Sequence, residues 1–204
     1  MKNVTHTANF FKVLLFVLLL SNFSASAQKT VIWVVRHAEK QAPAPDMPVS
    51  NPDLSEDGRE RAKELAKVLK RENIKAIYVT STKRSAQTAR PLAAQLKILP
   101  RIYTDSIKAF VKTLLTNFNG SKVLVLAHSN TVMPILAALG AEQPLDTLSE
   151  EDFDMIFKMT IKESGKVGLE ISYYGAVHHT SELPDKYRPD KQGVQQYSRP
   201  LTNY

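Results

Sequence analysis

Short strand-like runs alternate with amphipathic helical patterns along most of this chain. Thr30–Val35 is β-branched and aromatic, which is typical of a buried strand. A loop rich in proline follows, and Ser55 then has the character of a helix N-cap before the apolar, helically spaced positions of Ala62–Leu69. Because the cycle repeats, the pattern predicts an α/β fold: a three-layer α/β/α sandwich with a mostly parallel central sheet, in a single domain.

The remaining elements follow from the same two periodicities. Further strands are predicted at Lys75–Thr80, Lys122–Ala127, Met155–Ile161 and Val167–Tyr174, the last two as a hairpin or as neighbours. Further helices are predicted around the apolar positions of Ala89–Leu96, Ile107–Phe118 and Val132–Leu139. Pro91 is expected near the start of the second helix, where it would kink the helix or delay its regular part.

The first 27 residues are expected to be a secretory signal peptide. Lys2 and Lys12 precede the apolar block Val13–Leu20, and Ala25-Ser26-Ala27 supplies the small residues of a cleavage site. Because the apolar block is much shorter than the roughly 20 residues of a spanning helix, we expect no stable membrane anchor after cleavage. The protein is therefore expected to be exported, periplasmic or secreted, with its domain at residues 28–174 and a polar tail at 175–204 that is draped over the domain or disordered.

Charge and cysteine content limit the reactions and the binding partners that are expected of this chain. The 204 residues include no cysteine, which excludes thiol nucleophiles and cysteine-ligated metals. The net charge is +7, and removal of the predicted leader leaves 25 basic and 20 acidic residues, a net charge of +5. This excess favours an anionic partner, such as nucleic acid, an anionic membrane or a phosphorylated substrate. No dense basic stripe with interleaved aromatic residues is present, so nucleic acid is not expected.

Basic side chains follow three of the predicted strands, at the point where each strand ends. Arg36 and His37 follow the first strand, Arg84 follows the second, and His128 follows the most hydrophobic strand. The carboxyl ends of parallel strands meet at one edge of the sheet, where such folds bind their ligands. Two guanidinium groups can bind the oxygens of a phosphoryl group, and a histidine kept neutral by nearby arginines can attack phosphorus.

Three sequence motifs resemble the histidine phosphatase superfamily, the phosphoglycerate mutase-like group, and in particular its small phosphatases. The motifs are Arg36-His37-Ala38-Glu39, then Leu54-Ser55-Glu56-Asp57-Gly58, then Ser81–Ala89, and the similarity runs from about Val31 to Leu139. The resemblance implies a phosphoric monoester hydrolase in which His37 is the phosphorylated nucleophile. Arg36, Arg84 and His128 would complete the phosphate pocket, without a metal or another cofactor.

The chain also departs from the family pattern. Ala38 stands where the family usually has glycine after the first histidine, and Ser129-Asn130 follow the second histidine where many members have glycine. Many members carry a carboxylic proton donor between the second arginine and the second histidine, and Asp105 is the one acidic residue in that interval. Asp105 has two interpretations: a general acid, or the N-cap of the third helix.

Other polar residues have weaker claims on the site. Ser129, Asn130 and Lys40 are candidate substrate contacts around the phosphate pocket. Glu39 is expected to anchor its loop. The pair His178-His179 is expected in a surface loop, because neighbours on an extended chain point in opposite directions and make a poor metal pair.

Three functions therefore stay open at this stage. The favoured one is an exported, metal-independent phosphatase that hydrolyses phosphate monoesters or phosphohistidine on a small substrate or a phosphoprotein. The first alternative is a catalytically inactive module that binds phosphate or another anion in the same pocket. A phosphotransferase of the phosphoglycerate mutase type is less favoured, because export would separate it from glycolysis.

Overall fold

A computed structural model describes residues 29–42, 50–104 and 106–189. The strands are β1 Thr30–Arg36, β2 Ala76–Val79, β3 Arg101–Ile102, β4 Lys122–Ala127, β5 Met155–Ile161 and β6 Val167–Tyr173. The helices are α1 Glu56–Leu69, α2 Lys83–Leu96, α3 Ile107–Asn117 and α4 Ser129–Ala138, and a short 3₁₀ turn covers Asp185–Tyr187. The predicted leader and residues 190–204 of the predicted tail lie outside the described residues.

The six strands form one sheet in the order β3-β2-β4-β1-β5-β6. The pairs β3–β2, β2–β4 and β4–β1 are parallel, whereas β1–β5 and β5–β6 are antiparallel. The predicted α/β fold with a mostly parallel sheet is therefore confirmed, with an antiparallel hairpin at one edge. β1 lies inside the sheet and all seven of its residues are buried, so its carboxyl end has neighbours on both sides.

Helices cover both faces of the sheet. Trp33 and Val35 of β1 face a core shared with α1 and α2, and Ile32 and Val34 face a second core shared with α3 and α4. This alternation is the period of two expected of a strand buried on both faces. The two helix pairs, one on each face, are the outer layers of the predicted three-layer sandwich.

Helix α1 begins where the sequence indicates. The Ser55 hydroxyl accepts a hydrogen bond from the Gly58 N–H at 3.0 Å, which confirms Ser55 as the N-cap. Gly58 also lies directly against the segment after β1, because a Cβ at this position would be 2.1 Å from the carbonyl oxygen of Glu39. Only glycine allows α1 to start this close to the site end of β1.

Helix α2 differs from the prediction at its start. Pro91 lies in its interior, because the helix already begins at Lys83, where Thr82 caps it by accepting a hydrogen bond from Ser85 N–H. The apolar periodicity that marked this helix starts only at Ala89, since the first turn carries polar side chains. The expectation that Pro91 lies near the helix start was therefore wrong.

Helix α3 has a different N-cap from the one considered in the sequence. It begins at Ile107, and the Ser106 hydroxyl accepts from Ala109 N–H at 3.3 Å. The N-cap position considered for Asp105 is thus occupied by Ser106, while Asp105 itself lies outside the described residues.

Among the described residues, no helix is long and apolar enough to span a bilayer.

Candidate active site

The sheet register brings two histidines to the same edge. Arg36 of β1 is paired with Ala127 of β4, so the residues that follow them, His37 and His128, are level with each other. Their ring centroids are 5.1 Å apart. Arg84 comes from the first turn of α2, which follows β2 at the same edge. The structure therefore brings together the four residues predicted to form the centre of the site.

The hydrogen bonds of His37 fix its tautomer. Its Nδ1 lies 2.8 Å from the carbonyl oxygen of Ala38, and a carbonyl only accepts, so Nδ1 carries the proton. The Nε–H of Arg84 donates to His37 Nε2 at 3.0 Å. Nε2 therefore carries the lone pair, and a neutral imidazole with its proton on Nδ1 is the tautomer that attack from Nε2 requires.

Burial and positive charge keep both histidines neutral. The pKa of His37 is lowered to about 3, mainly by burial; the hydrogen bond to Ala38 opposes this shift, and the neighbouring His128, Arg36 and Arg84 add to it. Burial, followed by Arg84 and Arg36, lowers the pKa of His128 to about 4. At neutral pH, both imidazoles are therefore unprotonated, and the two cations beside them favour this state.

Arg36 is buried and held from the side of the β5 hairpin. Its side chain is 2% exposed, and its Nη1 donates to the Ser149 carbonyl at 2.7 Å. Its Nη2 donates to Glu150 at 3.1 Å, and the guanidinium stacks 4.0 Å above the ring of Phe153. The buried Nε has no hydrogen-bond partner among the described residues. A buried N–H without a partner is costly, which is typical of a group that serves a ligand.

His128 lies at the start of α4, where a helix has free backbone N–H groups. Its Nε2 is 3.0 Å from the hydroxyl of Thr80, the residue that directly follows β2. The next residue, Ser129, is partly buried and donates its hydroxyl to Glu150 at 3.0 Å. Backbone N–H groups at a helix N-terminus favour an anion, so this helix adds to the positive field made by the arginines.

The candidate substrate contacts lie at different depths. Ser129 lies at the edge of the pocket, whereas Asn130 is exposed in the first turn of α4. Lys40 is also exposed, on a short bridge to Leu54. Its charge contributes to lowering the pKa of Glu150, after the larger effects of the Ser129 hydrogen bond and Arg36. Lys40 is therefore a rim residue on the Glu150 side of the site.

The loop before β5 contributes residues that the sequence analysis missed. Glu150 lies between Arg36 and Ser129, and its side chain is 69% exposed. Asp152 is fully buried and accepts from the backbone N–H groups of Ser149, Thr180 and Ser181. These acids belong to a charged run without periodicity. The one available signal was that this run precedes a predicted strand.

Thr88 is a second residue that was missed. Its hydroxyl accepts from the Ala38 N–H at 2.9 Å and donates to the Arg84 carbonyl at 2.7 Å. It is fully buried. One side chain thus ties the peptide that holds His37 to the helix turn that carries Arg84. The only sequence signal was a threonine four residues after the arginine, where its hydroxyl can reach the i−4 carbonyl.

A buried ion pair supports the segment after His37. Arg61 and Glu39 are 2.7 Å apart, and both residues are buried. Arg61 also donates to the carbonyls of Tyr174 and Ala176. The interpretation of Glu39 as a loop anchor is confirmed, and the anchor extends to the chain that leaves β6.

The histidine pair of the tail has separate partners. His178 Nδ1 is 2.7 Å from the Glu151 carbonyl, whereas His179 Nδ1 is 2.8 Å from the buried carboxylate of Asp154. Both rings therefore tie residues of the tail to the loop before β5. Within the described ranges, no group of three or more histidine, cysteine, aspartate or glutamate side chains is placed to hold a metal ion.

Comparison with protein families gave one match. The model described as the histidine phosphatase superfamily (branch 1) matches residues 32–108. This interval contains Arg36, His37 and Arg84, and ends before His128. A search of curated protein sequences gave no match.

Solved structures with the same fold are numerous. The protein histidine phosphatase SixA, solved in complex with tungstate, has a TM-score of 0.58 and 20% identity, covering 70% of this chain and 96% of that one. The mycobacterial glucosyl-3-phosphoglycerate phosphatase also has a TM-score of 0.58, at 13% identity, covering 72% of this chain and all of the other. These neighbours confirm the fold.

Proposed function

We propose that this chain, whose residues 32–108 match the model of the histidine phosphatase superfamily (branch 1), hydrolyses phosphate monoesters or phosphohistidine through a phospho-His37 intermediate. The observation that carries the proposal is the state of His37. The ring is buried and neutral, its proton is on Nδ1, and its Nε2 lone pair is directed at Arg84. A substrate phosphoryl group that took the place of this Arg84 contact would meet a nucleophile with the correct tautomer.

The first chemical step transfers the phosphoryl group to His37. Nε2 attacks phosphorus and forms an N–P bond, while the bond from phosphorus to the leaving group breaks. The guanidinium groups of Arg36 and Arg84 neutralise the charge on the phosphoryl oxygens, since a guanidinium fork matches their geometry. Neutral His128 is a further hydrogen-bonding group at this edge, and the N-terminus of α4 adds backbone dipoles.

The second step is hydrolysis. Water attacks the phosphorus of phospho-His37, the N–P bond breaks, and inorganic phosphate leaves with His37 neutral again. No metal ion is needed in this scheme, because the arginines and the helix terminus supply the positive charge. We therefore expect hydrolysis of p-nitrophenyl phosphate in the presence of EDTA, and its loss in His37→Ala. Failure of the wild-type protein on several phosphoesters and on phosphohistidine would instead favour an inactive anion-binding module.

The proton for the leaving group needs a separate donor. Glu150 is an unsuitable one in this arrangement, because the Ser129 hydroxyl, Arg36 and Lys40 lower its pKa and keep it ionised. Asp105 is the proposed general acid. Asp105→Asn should slow esters with poor leaving groups far more than esters with good ones. An equal loss on both classes would show that Asp105 is not the general acid. In that case, we expect substrates with good leaving groups, such as phosphohistidine.

Export is part of the same proposal and rests on the leader pattern alone. Lys2, Lys12, Val13–Leu20 and Ala25-Ser26-Ala27 support it, in residues that the structure does not describe. The mature protein should begin at Gln28 and be recovered outside the cytoplasm. N-terminal sequencing of the protein from a cell fractionation tests this, and an intact Met1 in the cytoplasmic fraction would contradict it.

A further inference from the structure

An open groove of about 640 Å³ runs along the outer side of α2. Lys83, at the start of the helix, lines one end, and Leu99 and Pro100 line the other. Its small side chains, including Ala86 and Ala94, leave room beside the helix backbone. Because Lys83 directly precedes Arg84, the groove begins at the edge of the candidate active site.

Three cations line this groove at regular spacing. Lys83, Arg90 and Lys97 are seven residues apart, and seven residues are close to two helical turns. Lys83 and Arg90 therefore share one side of the helix, with a rise of about 10 Å between them. Lys97 directly follows the helix and lines the same groove. Among the residues that the structure describes, no acidic side chain lines the groove. Lys83 is 3.7 Å from the Asp53 carboxylate, whereas no ion pair involves Arg90 or Lys97 in the part of the chain that the structure describes.

The far end of the groove is apolar and fixed in place. Leu99 is 88% exposed, the largest exposed fraction among the large hydrophobic side chains that are described. It follows a Schellman-type turn in which Lys97 has a left-handed φ of 54° and Ile98 N–H donates to the Ala93 carbonyl at 3.0 Å. The turn holds Leu99 out of the core, next to the last cation.

We propose that this groove docks an acidic, amphipathic segment of a phosphoprotein substrate. Its carboxylates would meet Arg90 and Lys97, and an apolar side chain would cover Leu99. This proposal rests on the proposed phosphatase function, since the groove leads to Arg84 and from there to His37. Carboxylates seven apart in a helix, or three apart in an extended segment, span the same 10 Å or so as the cations.

Two other anionic partners fit the groove less well. Single-stranded nucleic acid is held largely by stacking of its bases on aromatic side chains, and none of the described residues that line the groove is aromatic. An anionic membrane surface needs a projecting apolar and basic face rather than a cleft along a helix. The heptad-spaced cations above an apolar floor match a polypeptide best.

The test compares matched substrates on matched variants. The substrates are p-nitrophenyl phosphate and two phosphotyrosine peptides of about 14 residues, the length of α2, one with glutamates and leucines and one with lysines in place of the glutamates. The groove variant is Arg90→Glu/Lys97→Glu. Its control is Lys108→Glu/Lys112→Glu, which makes the same charge change at exposed positions of α3 on the opposite face of the sheet.

The expected result is selective. In the groove variant, kcat/KM on the acidic peptide should fall by about tenfold or more, through KM, because two ion pairs become repulsive. Activity on p-nitrophenyl phosphate should stay within about twofold of wild type, since neither Arg90 nor Lys97 contacts the phosphate pocket around His37. Leu99→Ser should lower kcat/KM on the acidic peptide but not on the other substrates. Equal losses in the groove variant and in the control would overturn the proposal.

A binding measurement separates this proposal from the proposed function. Fluorescence anisotropy with the unphosphorylated acidic peptide reports docking without turnover, and binding should be lost in the groove variant. If the wild-type enzyme hydrolyses p-nitrophenyl phosphate but binds both peptides equally, the docking proposal is refuted. The proposed phosphatase function would still stand. Tighter binding of a single-stranded DNA oligomer or of anionic vesicles than of the acidic peptide would also refute it.

Discussion

The neutral state of His37 predicts a specific dependence of stability on pH. Its pKa in the folded protein is about 3, whereas an unfolded histidine has a pKa of about 6.5. Below pH 6.5 the unfolded chain takes up a proton at this residue that the folded protein does not bind. The free energy of unfolding must therefore fall as the pH falls from 6.5 towards the folded pKa.

The size of the effect follows from the two pKa values of His37. Each pH unit between them changes the unfolding free energy by about 1.4 kcal/mol, so acidification from pH 7 to pH 5 costs about 2 kcal/mol at this residue. At pH 5 the result is insensitive to the folded value, since any pKa at or below about 4 leaves the folded ring almost fully neutral. His37 is 4% exposed, so solvent screens its ring little.

The assay is urea unfolding of the wild type and of His37→Gln at pH 7 and pH 5. His37→Gln removes the titrating group, and every other group contributes to both proteins. The variant should lose about 2 kcal/mol less than the wild type between these pH values. A difference below about 0.5 kcal/mol would show that His37 titrates near its ordinary pKa. In that case, the argument that burial and arginines keep the nucleophile neutral would be wrong.

Three further substitutions test the contacts around the site. Thr88→Val should lower the free energy of unfolding by about 1–3 kcal/mol and should lower kcat, because it leaves a buried N–H unpaired. Thr88→Ser should restore stability and kcat, as measured by urea unfolding and steady-state kinetics. Glu150→Gln should tighten inhibition by inorganic phosphate several-fold, because its carboxylate no longer competes for the buried guanidinium; Glu151→Gln should leave the inhibition constant unchanged. Gly58→Ala should cost about 1–3 kcal/mol or more, since its Cβ would lie 2.1 Å from a backbone carbonyl oxygen, whereas Gly168→Ala meets its nearest atom at 4.0 Å and should have little effect on the melting temperature.

The centre of the site was predictable because it depends on topology. Arg36 ends the buried strand β1, His37 directly follows it and His128 directly follows β4. Parallel strands must end at the same edge of a sheet. The register then fixed the relative height of the histidines with no contribution from loops. Residues in such positions are readable from hydrophobic periodicity and chain order alone.

The surroundings of Arg36 were not predictable, because they depend on a loop without periodicity. Its firmest contact is a backbone carbonyl of Ser149, and any residue at that position presents the same group. The prediction of helix boundaries failed for a related reason. Ser106 rather than Asp105 caps α3, since both residue types are good N-caps and the sequence fixes such a boundary only to within a residue or two.

The central claim is that the phosphoryl group passes through His37 Nε2. The most direct measurement is rapid acid-free denaturation of the enzyme during turnover of a ³²P-labelled phosphoester, followed by peptide mapping. We expect a label that is labile in acid and stable in base, located on the peptide that contains His37, and absent from His37→Gln. An active wild-type enzyme that never becomes labelled, or a label that persists in His37→Gln, would contradict the mechanism.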